Sequence, residues 1–152
     1  MAAVRDPRKL ALDYLQGHQV MTLATVSMDS PWATALFYVN NGFALYFLSA
    51  GHTRHIKNVG GQPQAAATIQ EDYEDWPAIK GIQLEGHVFQ LHGEEQKEAI
   101  SLYEKKYPFI KSAPSQIRLK LAKVNWYCLS PSRLYFIDNS QGLGHRDEIP
   151  LG

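Results

Sequence analysis

The residues most suited to chemistry lie in one short stretch, SAGHTRHIKNVGG, at positions 49–61. Hydroxyl and basic side chains gather there at the start of a predicted short helix, 53–59: Ser49, His52, Thr53, Arg54, His55 and Lys57. A helix N-terminus offers backbone N–H groups without intrahelical partners and the positive end of a dipole. Hydroxyls and an arginine fork add donors suited to phosphate. The stretch therefore predicts a phosphate-monoester site, with a solvated basic surface as the alternative.

Helical spacing assigns different faces to these side chains. Arg54 and Lys57 share one side, while Ile56 and Val59 share the side expected to be buried. His55 lies on a third line, and it would bind an anion best when protonated. We therefore expect affinity to weaken above about pH 7 if His55 contributes as a cation.

Other chemistries find little support in the sequence. His52 and His55 form an i, i+3 pair, but no nearby cysteine or carboxylate completes a set of ligands, so no metal site is predicted. We find no Ser-His-Asp or paired-carboxylate arrangement, and no GxGxxG loop for a nicotinamide cofactor. Cys128, the one cysteine, lies in an apolar run and is interpreted as a buried side chain in a reducing compartment.

Composition limits the classes of protein that fit. The 152 residues suit one domain, 1–152, and 45% of them are hydrophobic. The net charge is zero, which argues against general nucleic-acid binding. No apolar run reaches the roughly 20 residues of a membrane span, and the N-terminus lacks a signal-peptide pattern. We expect a cytoplasmic protein with neither membrane nor nucleic acid as a partner.

The first half of the chain predicts one helix followed by strands. Asp6 and Pro7 begin a helix at 7–16. Three strands follow as an antiparallel meander, with turns at 29–31 and at Asn40-Asn41-Gly42. These strands and a fourth, later strand are predicted at 20–27, 32–39, 43–48 and 65–70.

In the second half, an acidic loop is predicted at 71–78, followed by a strand at 79–91 and a helix at 93–107. An irregular link follows at 109–116. Two last strands at 118–129 and 133–138 are joined by Ser130-Pro131-Ser132, and a tail ends the chain. Gly86 is expected to mark a bulge or bend. The whole pattern predicts a mainly β fold with flanking helices, a closed or split antiparallel β-barrel of six to seven strands, with a sandwich as the alternative.

Three segments in this order resemble the pyridoxamine-5′-phosphate oxidase-like family of FMN-binding split barrels, and within it an uncharacterised bacterial branch. The segments are LYFLSAGHTRHIKNV, IKGIQLEGHVFQL and SPSRLYFIDNSQGLGHRDE, and the resemblance covers most of residues 8–146. It implies FMN as the cofactor and a homodimer. The long strand 79–91 gives a second reason for a dimer, because we predict apolar residues on both its faces.

The resemblance also implies roles for individual residues. The FMN phosphate would contact Ser49, Thr53, Arg54, His55 and Lys57, with His55 where a lysine is usual. The flavin ring would lie along the second and third strands. Lys80 could balance charge on the reduced flavin or be an exposed strand end. The candidates on the substrate side are Trp76, His145 and Arg146, with packing on the barrel as the alternative for Trp76 and a plain surface position for the glycine-flanked tail.

Departures from the family pattern restrict the activity. Genuine pyridoxamine-phosphate oxidases carry an arginine and a lysine on the second strand, where residues 32–38 have no basic residue. Lys80-Gly81 stands where they have an Arg-Gln pair, and Ile137 where they have a tryptophan. The sequence thus predicts not that enzyme but an FMN-dependent oxidoreductase of unknown substrate, with NADH or NADPH as a possible transient electron donor. A non-enzymatic flavin binder and a haem-handling relative are the alternatives.

Overall fold

In the computed structural model, which describes residues 4–152, strands β1–β8 form an eight-stranded sheet. All neighbouring strands are antiparallel, in the order β2-β1-β5-β6-β7-β4-β3, and β8 pairs with β7. The strands are β1 Val20–Ser27, β2 Ser30–Phe37, β3 Val39–Asn41, β4 Ala44–Ser49, β5 Gln64–Gln70, β6 Lys80–Gln90, β7 Asn125–Asp138 and β8 Arg146–Glu148. The helices are α1 Pro7–Gly17, α2 Arg54–Gly61, α3 Gly93–Lys106 and α4 Ser115–Leu121. The sheet curls into a half-barrel, which confirms the predicted split β-barrel.

Helix α1 forms where the sequence predicts it. The Asp6 carboxylate accepts a hydrogen bond from the Lys9 amide at 3.2 Å, and Pro7 occupies the first turn. Tyr14 and Leu15 on its apolar face are buried. The helix thereby closes one side of the half-barrel.

The predicted meander is wrong in its third strand. The first turn lies at Met28 and Asp29, both with positive φ, so β2 starts at Ser30. Tyr38 then leaves the sheet, because its side chain is fully buried and its hydroxyl donates to the Leu15 carbonyl at 2.7 Å. After this break, the hairpin of β3 and β4 lies at the edge of the sheet opposite to β2. There β4 pairs with β7, and β2 is left as an edge.

Strands β6 and β7 form the centre of the sheet. The partners of Glu85 and Gly86 are Arg133 and Pro131, so Ser132 is an extra residue in a bulge. A Cβ atom on Gly86 would lie 2.1 Å from the Ser130 carbonyl oxygen, which explains the glycine and confirms the predicted irregularity.

Two predictions about this central region are wrong. Residues 130–132 are no turn, and one strand runs through them. The exposed face of β6 carries Phe89, but also Gln83, Glu85 and His87, so that face is mostly polar and gives only a weak reason of its own for a dimer.

Residues 115–121 form helix α4, where the sequence predicts the end of an irregular link at 109–116 and the first residues of a strand at 118–129. The alternation of Ile117, Leu119 and Leu121 has the period of a strand, and this misled the prediction. Instead, the Pro114 carbonyl accepts hydrogen bonds from the amides of Ile117 and Arg118 at 3.0 and 3.1 Å, which starts a helical turn.

Two apolar clusters lie on opposite sides of β4. Leu45 and Phe47 point into the main core, which α1 and α2 cover. Tyr46 and Leu48 point into a second cluster, with Tyr103 and Tyr107 of the α3 region. In the part of the chain described, no helix is long and apolar enough to cross a membrane.

Candidate functional site

Helix α2 follows β4 after a short turn, close to the predicted position. Ile56 and Val59 are buried against the main core, as predicted, and Arg54 and Lys57 are exposed. Asn58 is buried too, and its side-chain amide donates to the Thr25 hydroxyl at 3.0 Å. The helix is therefore fixed to β1 by apolar packing and by one buried hydrogen bond.

Arg54 is held by the edge strand β2. Its guanidinium donates to the Ser30 hydroxyl at 3.1 Å and lies 4.1 Å from the centre of the Trp32 ring. These contacts restrict a long side chain that would otherwise be free in solvent. Sequence reasoning missed Ser30, Trp32 and Asn58. Only folding brings Ser30 and Trp32 of β2 under α2, and Asn58 gains its partner Thr25 only when β1 lies there too.

The N-terminus of α2 has no side-chain cap. The Thr53 hydroxyl donates to the Ala50 carbonyl at 2.9 Å instead of accepting from an amide of the first turn. Within residues 4–152, neither Arg54 nor Lys57 has an ion-pair partner. Amide donors and two cations thus remain available to an anion.

His55 faces inward and is only 6% exposed. Its Nε2 atom lies 2.7 Å from Ser49 Oγ and 3.3 Å from Thr53 Oγ1. Desolvation lowers the pKa of His55 below 6.5, so the ring is neutral at pH 7. The charges at this helix end come from Arg54 and Lys57, and the burial of His55 works against the cationic role expected for it.

Lys80 lies away from this group. It begins β6, opposite Asp138, whereas α2 lies beside Val88, eight residues further along the same strand. At about 3.3 Å per residue that is roughly 26 Å. Within one chain, Lys80 therefore does not join the α2 residues.

The substrate-side candidates lie in two places. Trp76 is 72% exposed in a 3-10 turn, so it does not pack against the barrel. The tail is no free segment, because β8 pairs with β7. His145 lies 3.2 Å from Asp147, and Arg146 donates to the Gln83 side chain at 3.2 Å.

Arg146 also borders a cavity of about 420 Å³ on the outer face of the sheet. Small side chains, including Ala24, Ala66, Thr22 and Thr68, form much of its floor. Of the three substrate-side candidates, Arg146 alone lines one of the four cavities described here.

The described residues offer less to a metal ion or a haem than to an anion. Residues 4–152 contain no group of three or more His, Cys, Asp or Glu side chains placed to hold a metal ion. None of the four cavities has a histidine in its lining. Among these residues, the best-formed set of donors is the one around α2.

Comparison with known proteins agrees with this fold. The family model for pyridoxamine 5′-phosphate oxidase matches residues 8–138. The UPF0306 protein plu4501 of Photorhabdus laumondii subsp. laumondii is 33% identical over 135 residues, which are 88% of this chain and 88% of that protein.

Solved structures with the same fold include a heme binding protein and a FAD-binding protein. A heme binding protein from Mycobacterium smegmatis has a TM-score of 0.77 and 20% identity over 97% of this chain, which spans 59% of that protein's chain. A FAD-binding protein from Mesorhizobium loti has a TM-score of 0.63 and 15% identity, covering 83% of this chain and 90% of its own. The family match and the relative together decide the assignment: the chain belongs to the pyridoxamine 5′-phosphate oxidase-like family, in the bacterial branch that includes UPF0306 proteins.

Proposed function

We propose that this protein binds FMN, with the flavin phosphate at the N-terminus of α2. The observation that carries the proposal is the uncapped first turn beside Arg54 and Lys57, two cations without carboxylate partners among the described residues. Two cations match the dianion of a phosphate monoester, and Arg54 is already oriented by Trp32 and Ser30. The hydroxyls of Ser49 and Thr53 lie beside this turn.

The edges of the half-barrel support a place for the flavin ring. Among residues 4–152, β2 pairs only with β1, and residues 47–49 of β4 pair only with β7, so backbone groups at both edges lack strand partners there. Arg54 follows β4 along the chain and reaches Ser30 and Trp32 on β2, so α2 spans the split. Bound flavin supplies redox chemistry, and we propose an oxidoreductase of unknown substrate with NADH or NADPH as donor.

A homodimer would complete the site. The outer faces of β1, β2 and β5 expose four alanines, Ala24, Ala33, Ala35 and Ala66. An exposed sheet face with small apolar side chains of this kind is suited to a second copy. Lys80, Trp76 and His145 could reach a flavin only across such an interface. Sedimentation should show a dimer, and Ala66→Arg should give a monomer; a monomeric wild-type protein contradicts the shared site.

An FMN titration tests the cofactor assignment. Quenching of flavin fluorescence by the apoprotein should give an affinity that Arg54→Ala weakens about 10- to 100-fold, since it removes charge-assisted hydrogen bonds. Lys57→Ala should weaken it less, because a lysine acts as a point charge. Arg118→Ala, an exposed arginine on α4, is the matched control. If Arg54→Ala and Arg118→Ala retain FMN equally, the phosphate does not bind at α2.

Haem is the second candidate, favoured by the shared fold of the Mycobacterium smegmatis heme binding protein. The absorption spectrum of the purified protein separates the two, since haem gives a Soret band and flavin does not. A flavin-loaded protein that neither NADH nor NADPH bleaches would instead be a binder without turnover.

A further inference from the structure

Residues 105–124 carry six cations and no carboxylate, in a chain whose net charge is zero. They are Lys105, Lys106, Lys111, Arg118, Lys120 and Lys123. Lys106 already has hydrogen-bond partners, because its ammonium donates to the carbonyls of Leu15 and His18 at the end of α1. The other five are exposed. A sizeable share of the protein's positive charge thus lies on one short segment.

The same segment is apolar without being buried. Neither α4 nor the 3-10 turn at Pro108–Ile110 contains a buried residue. Phe109, Ile117 and Leu119 are 62%, 50% and 66% exposed. Large apolar side chains left in water at this density usually mark a surface that contacts something else.

A cavity of about 440 Å³ lies beneath this segment. Its walls are almost entirely apolar, with Phe37 of β2, Leu48 of β4, Tyr103 of α3, Phe109, and Ile117 and Leu121 of α4. A second cavity of about 220 Å³ shares Leu48, Ile110 and Leu121 with it and adds Arg118 and Trp126. The larger volume alone falls in the range of small-molecule sites.

The cation best placed at this apolar space is Arg118. It lines the smaller cavity and has no ion-pair partner within residues 4–152. Glu104 lines the smaller cavity too, but its carboxylate lies 3.7 Å from the ammonium of Lys111, so these two charges offset each other. The net positive charge at the rim of the cavity is therefore that of Arg118.

We propose that the space beneath residues 105–124 binds a small molecule with an apolar body and one anionic group, such as a medium-chain carboxylate. The body fills the cavity between α3, α4 and the split of the barrel, and the carboxylate meets Arg118. The segment packs loosely enough to open for the ligand, because it has few buried contacts to break.

The position relative to the proposed cofactor site suggests a use. Leu48 precedes Ser49 on β4, so the cavity lies on the opposite face of that strand from the α2 residues. Phe37 and Leu48 stand on the two strands that border the split. If the flavin ring lies in this split, molecules with an apolar body and one carboxylate are the substrate class of the proposed oxidoreductase. That role rests on the proposed function, whereas the binding of such a molecule does not.

Calorimetric titration of the FMN-free protein with decanoate and with 1-decanol, both below their aggregation limits, tests the binding. Decanoate should bind about five- to tenfold more tightly than the alcohol, because it gains an ion pair. Arg118→Gln should reduce decanoate affinity to that of the alcohol and leave the alcohol unchanged. Lys97→Gln, an exposed lysine on α3, is the matched control.

Filling the cavity tests its location. Ala113→Trp, or Ser112→Trp if the first variant is unstable, should abolish binding of both probes while FMN titrations stay unchanged. Equal affinities for decanoate and decanol, or undiminished binding in a filled variant that is folded, overturn the proposal. Sedimentation with phosphatidylglycerol vesicles in the absence of decanoate binding would also overturn it, in favour of a membrane surface. The titrations with decanoate and decanol contain no FMN. A failure of the carboxylate proposal and a failure of the FMN assignment are therefore separate results.

Discussion

Helix α2 and residues 105–124 are both basic, and the structure makes different surfaces of them. Four of the eight α2 residues are buried, and a buried amide and a stacked arginine fix the helix to β1 and β2. Helix α4 has no buried residue and lies over cavities. Positive charge in a sequence therefore does not define a site by itself. What lies beneath the charge decides whether it stands on a helix fixed to the sheet or at the rim of an apolar cavity.

The largest expected difference between the two regions is in stability, and a matched pair of isoleucines measures it. Ile56→Ala removes a side chain from the main core and should lower the free energy of unfolding by about 2–4 kcal/mol. Ile117→Ala removes a half-exposed side chain and should cost less than about 1 kcal/mol. Urea unfolding of both variants checks this, and equal losses would show that α4 is as tightly packed as α2.

Amide hydrogen exchange compares the two helices without substitutions. We expect the amides of α4 to exchange more than about tenfold faster than those of the last turn of α2, because α4 can open without breaking buried contacts. Adding decanoate should slow exchange in α4 alone. Equal protection in the two helices, with or without ligand, would remove the distinction.

The stacking of Arg54 on Trp32 gives a smaller effect. Trp32→Ala should weaken FMN binding about two- to fivefold, as expected for an exposed cation–π contact. Phe89→Ala is the control, a 40% exposed aromatic side chain on β6 with no assigned role at the flavin. Equal losses in Trp32→Ala and Phe89→Ala would show that the stacking on Arg54 does not matter for FMN binding.

The smallest expected effect is the pH dependence that His55 gives to stability. Because burial lowers its pKa, the folded state resists protonation while the unfolded state protonates near 6.5. The contribution of neutral His55 to the free energy of unfolding is complete above pH 6.5. It is lost as the pH falls from 6.5 toward the lower pKa of the folded state. Wild-type protein should therefore lose more stability between pH 7.5 and 5.5 than His55→Gln, measured by urea midpoints. His52→Gln, at an exposed position, should follow wild type.

Local patterns were enough for several elements. The Asp6 cap and apolar stripe predicted α1, the β-branched and apolar residues of 20–27 predicted β1, and Gly86 marked the bulge. They failed where a distant contact decides the outcome. The burial of Tyr38 breaks β2 from β3, and the pairing of residues 125–138 with β6 carries one strand through Ser130-Pro131-Ser132.

For the candidate site, the sequence by itself determined the donors: a short helix beginning at Thr53, with Arg54 and Lys57 on its exposed side, because spacing along a helix fixes which side chains share a face. Only the tertiary structure decided that His55 is buried and neutral, that Trp32 and Ser30 hold Arg54, and that residues 105–124 cover an apolar cavity. Those properties arise from elements far apart in the chain, and no local pattern encodes which strands meet or how completely they fill the space between them.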